Sequence, residues 1–74
     1  MTDDDFDPAW ITAFAERLGL EPLDPAQHDA LLSLAGRGAH DSGDRRNAPL
    51  ACFLAGLRLG TDGAAPTAAV LDGY

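Results

Sequence analysis

Seven consecutive residues, His40-Asp41-Ser42-Gly43-Asp44-Arg45-Arg46, hold most of the groups in this chain that could do chemistry. A histidine can carry a proton near neutrality, a serine beside carboxylates suggests a nucleophile, and paired arginines can grip a phosphate or carboxylate. Each possibility meets a requirement the sequence does not fill. A transition-metal site wants a second histidine or a cysteine beside the first, and the other histidine, His28, stands twelve positions upstream with no ligand cluster around it. A triad of Ser42, His40 and Asp44 would need neighbours along one loop to reach triad geometry, and no oxyanion-hole motif accompanies them. The enzymatic alternative is His40 as general acid or base, with Arg45 binding an anionic substrate. A plainer reading is that a histidine in a helix's last turn suits the dipole there, and that Asp-Ser-Gly-Asp is turn chemistry. The expectation is therefore no catalytic, cofactor-binding or metal-binding residue. His40, Arg45, Arg46 and Pro49 are instead expected to form a contact surface for a partner protein, since arginine is over-represented at interface hot spots.

The elements that must position this loop are helices. Asn47-Ala48-Pro49 reads as a helix start and Gly60 as its stop, with Leu50, Phe53, Leu54 and Leu57 spaced to lie on one face. The spacing predicts a helix over 48–59. Asp7-Pro8 opens an earlier helix over 8–18, with Trp10, Phe14 and Leu18 at intervals of four and Gly19 ending it. Asp24-Pro25-Ala26-Gln27 repeats that start with capping-box spacing, and predicts a helix over 25–39 carrying Leu31 and Leu34. Gly38 on its apolar side, and Gly56 in mid-helix, suggest close approach of another helix. A weak fourth helix is expected over 65–72, with Pro66 in its first turn. The fold class is thus all-α, a small three-helix bundle with a short fourth C-terminal helix as an option. Its expected core is Trp10, Phe14, Leu18, Leu31, Leu34, Leu50, Phe53, Leu54 and Leu57. Residues 1–6, with three consecutive aspartates, read as a disordered acidic tail ahead of a single domain over 7–74.

Composition narrows the function classes. Seventy-four residues make one domain with a thin core, to whose stability a partner or second copy could add. Twelve acidic residues against five arginines give a formal charge of −7, a field that repels phosphate backbones and anionic lipid, so nucleic acid and membranes are not expected partners. Cys52, the one cysteine, reads as a small buried or half-buried thiol, with no intrachain disulfide available. An acidic N-terminus unlike a signal peptide, and no run of apolar residues long enough to span a bilayer, lead to an expected cytoplasmic location.

The segment LSLAGRGAH, followed by an arginine, by APL and by FLAGLRLG, with Trp10 leading the first helix, resembles a small actinobacterial family of domains of unknown function. The resemblance runs over about residues 10–60. It departs at Gly36, which stands where the family carries an arginine, and in one extra residue between His40 and Arg45. Domains of that family occur alone or fused to molybdopterin guanylyltransferase-like domains, beside genes for molybdoenzymes such as formate dehydrogenase. The resemblance implies a non-catalytic accessory module acting through protein contacts in molybdenum-cofactor or molybdoenzyme assembly. The partner would be a cofactor-pathway enzyme or a molybdoenzyme subunit. The alternative is a small structural subunit or homodimer that fills an interface of a larger enzyme complex.

Overall fold

The computed structural model describes residues 7–74. The expected tail over 1–6 lies outside the described residues. Among the described residues four helices follow one another: α1 (Ala9–Arg17), α2 (Pro25–Ser42), α3 (Asn47–Asp62) and α4 (Ala68–Leu71). The described residues are 69% helical with no strand, a small all-α bundle.

Local chemistry explains the helix ends. Asp7 accepts from the Ala9 N–H at 2.9 Å. α1 then stops at Gly19, whose φ of +74° suits only a residue without Cβ strain; the Gly19 and Leu20 N–H groups return to the carbonyls of Glu16 and Ala15, a Schellman closure. The capping box at α2 forms as expected: Asp24 accepts from the Gln27 backbone at 2.8 Å, and Gln27 reaches back to the Asp24 N–H at 3.0 Å.

Boundaries of α2, α3 and α4 depart from the sequence expectation, α4 starting at Ala68 rather than 65 with Pro66 ahead of the helix. α2 runs three residues past Ala39 because Ser42 donates to the Gly38 carbonyl at 2.7 Å, so the left-handed stop falls at Gly43. His40, Asp41 and Ser42 are therefore helical. α3 begins at Asn47 as its first helical residue, so Asn47 does not cap it; Arg46 holds the cap position with no side-chain cap bond, and just ahead of it the Asp44 carboxylate accepts from the Arg46 N–H at 2.9 Å. Nor is Gly60 the stop of α3: the helix continues through it to Asp62 and ends at Gly63, with φ +66°. Between them, Thr61 donates to the Leu57 carbonyl. α4 is a single turn, capped by Thr67 on the Val70 N–H.

The largest correction concerns the core. It consists of Ala30 and Leu34 of α2, Ala55 and Leu59 of α3, and Leu71 of α4, with Leu31, Cys52, Ala64 and Val70 packed against it. Of the expected core, Leu34 is buried and Leu31 half-buried against it; Phe14 is only half-buried on α1. Trp10, Leu18, Leu50, Phe53, Leu54 and Leu57 are all more than half exposed. The reason lies in α3, which is apolar on two sides. Ala48, Ala51, Cys52, Ala55 and Leu59 make a face of small residues turned toward α2, and the four large side chains lie on the opposite side. Small residues let two backbones approach closely. A Cβ built on Gly38 of α2 would sit 3.2 Å from the Ala51 Cβ, so the close approach expected at Gly38 is present, whereas nothing stands within 4 Å of Gly36 or Gly56. The close contact expected at Gly56 is not made within the chain. α3 and α4 both pack on α2, and Arg37 of α2 ties the short helix down by donating to the Leu71 carbonyl at 2.9 Å. α1 buries none of its residues.

Candidate functional site

The turn between α2 and α3 is a local polar structure. Asp44 accepts from Arg46 through the backbone N–H, Nε at 3.0 Å and Nη2 at 2.6 Å, and these bonds to the guanidinium hold the Asp44 carboxyl below the usual aspartate range. The same pairing raises the Arg46 pKa, and the two side chains are thereby engaged with each other. Ser42 donates to the α2 carbonyl of Gly38 at 2.7 Å and accepts from the Asp44 N–H at 3.3 Å. His40 stands in solvent, its side chain 91% exposed and its Nδ1 3.4 Å from an Asp41 carboxylate oxygen. Arg45 and Pro49 are exposed as well. The expected contact residues therefore share one end of the helical hairpin, without forming a cleft. Among the described residues no three His, Cys, Asp or Glu side chains come together as a metal would require. Sequence reasoning named Asp44 without its bond to the Arg46 N–H, and gave Arg37 no contact. The aspartate two residues ahead of Arg46 was a legible helix-start signal; the Arg37 contact spans 34 positions and had none.

Cys52 is half-buried, its thiol directed at the Leu31 carbonyl 3.7 Å away, and burial pushes its pKa up, away from a reactive thiolate.

Two hollows flank α1. One, of about 180 Å³, lies along a ladder in which Trp10 stacks on Phe14 (centroids 5.2 Å apart, planes 10° apart) and the Arg17 guanidinium sits 5.1 Å above the Phe14 ring. The other, of about 380 Å³, opens between α1 and α2 and is lined by Trp10, Ile11, Leu23, His28, Leu31 and Leu32. Five of those six residues are apolar. A small-molecule site of this size normally adds several convergent polar groups to fix orientation, and here His28 is the single polar side chain in the lining.

The third surface is the outer side of α3, where Leu50, Phe53, Leu54 and Leu57 lie between 54% and 65% exposed. A family model for a domain of unknown function, DUF6457, matches residues 3–73. The chain belongs to the DUF6457 family. No curated protein and no solved structure matches this DUF6457 domain. No helix among its described residues is long and apolar enough to cross a membrane.

Proposed function

We propose that this DUF6457 domain is a non-catalytic accessory module that holds another protein during molybdenum-cofactor or molybdoenzyme assembly. The binding half of this reading is carried by the hollow between α1 and α2, an apolar groove with Trp10 71% exposed at its edge. Such a groove fits an apolar anchor from a partner segment. Outside residues 44–62 the chain carries two arginines against ten carboxylates, so the segment it suits is one with basic flanks. The molybdenum half rests on the sequence resemblance, whose family sits beside molybdoenzyme genes. The expected contact residues His40, Arg45, Arg46 and Pro49 lie on the α2–α3 turn and would make a polar contact distinct from the groove.

Affinity capture of the tagged chain from its native host tests both halves. The expected result is recovery of a molybdoenzyme subunit or cofactor-pathway enzyme by the wild type, lost with Leu32→Asp, a change at a more than half exposed position of the groove. Failure to recover any such protein at low or high salt refutes the assembly role. Equal recovery by the Leu32→Asp variant refutes the groove.

A further inference from the structure

The outer face of α3 is a separate surface, and its residues point to a different occupant from that of the groove. A helix apolar on both sides is normally enclosed. Here the inner side meets α2, while the outer side carries four large apolar residues that no other helix among the described residues covers. From the usual size of such side chains, their exposed parts amount to roughly 450 Å², within the range of the largest apolar patch on a monomer and typical of functional ones.

We infer that this face binds a second copy of the chain, with the two α3 helices antiparallel about a two-fold axis passing between Phe53 and Leu54. That axis sets Leu50 opposite Leu57 of the second copy, Phe53 opposite Leu54, and the end carrying Arg45 beside Asp62. Every residue on the stripe then faces another residue of the stripe, as an isologous interface demands.

Charge supports this occupant. Arg46 is paired with Asp44 and Asp62 with Arg58 at 2.9 Å, while Arg45 stands ahead of the positive end of α3, whose first turn holds no acid and whose last turn holds no base. An antiparallel neighbour of the same sequence brings the Arg45 end of each copy to the Asp62 end of the other. Residues 44–62 hold three arginines against two aspartates, while the rest of the chain holds two arginines against ten carboxylates. Self-repulsion is therefore weakest along this segment. Gly56 and Gly60, with nothing within 4 Å of a built Cβ, border the stripe and leave room for a close backbone. Two copies of the stripe cover roughly 900 Å², and the flanking glycine and arginine surface brings the total to about the 1,000 Å² that a specific contact needs. A dissociation constant on the order of 10–100 µM is expected.

Sedimentation equilibrium of the full chain from a few micromolar to millimolar, at 0.15 M salt, tests this with three variants. The wild type should pass from monomer to dimer, and Leu57→Asp should weaken dimerisation by roughly 100-fold or more. R45D and D62R should each weaken it by about tenfold, and an equimolar mixture of the two should recover wild-type strength as a heterodimer. Circular dichroism of each variant verifies that it is folded. A monomer at every concentration, a Leu57→Asp dimer of wild-type strength, or a mixture no tighter than its components would overturn the inference. Capture of the assembly partner through the Leu32 groove is scored separately, so either proposal can fail alone.

Discussion

Replacing Leu71 by alanine asks whether the small-residue face of α3 truly forms the core. Leu71 is 2% exposed, the one large side chain fully enclosed among the described residues, and it packs with Ala30, Leu34, Ala55 and Leu59. Buried Leu→Ala changes cost about 2–5 kcal/mol, the spread reflecting how far the surroundings collapse into the space. α4 is one turn held by the Thr67 cap and the Arg37 bond to the Leu71 carbonyl, both of which survive the change, so partial collapse onto α2 is open to it. A cost of about 3 kcal/mol follows. For 74 residues the whole folding free energy is about 4–11 kcal/mol. The melting temperature should therefore fall by roughly 12–24 °C. Thermal denaturation followed by circular dichroism at a few micromolar, where the chain is expected to be monomeric, gives the measurement. Phe53→Ala and Leu57→Ala in the same assay should change stability by no more than about 0.5 kcal/mol, as exposed positions do. A Phe53→Ala variant that melts below Leu71→Ala under these conditions would mean that the large face of α3 is the folded core, and the packing described above would be wrong.

Glycines on α2 give a second test. Gly36→Ala has open space to enter and removes backbone freedom from the unfolded chain, so it should stabilise by about 0.5–1 kcal/mol; Gly38→Leu must force α2 from Ala51 and should destabilise, both read by urea denaturation. Asp44 should titrate below the ordinary aspartate range by NMR, and Arg46→Ala should bring it back up. The sign is that of a depressed carboxylate. Its contribution to the start of α3 is present above the unfolded pKa and fades as pH falls through the folded one, so amide signals of residues 46–48 should shift only below about pH 4.

Much of the architecture was legible because helix signals are local. Asp24 with Gln27, Pro25 in the first turn, and Gly19 after Leu18 act within five residues of one another, and the structure uses each as the sequence suggests. Where two local signals competed, the nearer glycine lost. Gly60 could have ended α3, but the backbone stays helical to Asp62, and Asn47 could have capped it, but it is the first helical residue, with Asp44 accepting from the Arg46 N–H just ahead of it. At the α2–α3 turn, composition identified the polar residues correctly. Their arrangement was not legible, because Ser42 and Arg46 are each engaged by bonds whose geometry depends on where α2 ends.

Periodicity says which residues share a side of a helix, and α3 satisfies it twice. Leu50, Phe53, Leu54 and Leu57 form one set, Ala48, Ala51, Ala55 and Leu59 the other, and both are apolar. The sequence alone determined an all-α chain, the approximate span of its helices and its anionic character. Which side of α3 turns inward was decided only by the tertiary structure, because Gly38 and Ala51 let two backbones come close enough for Leu34, Leu59 and Leu71 to meet, and that close approach leaves the bulkier residues on the outside.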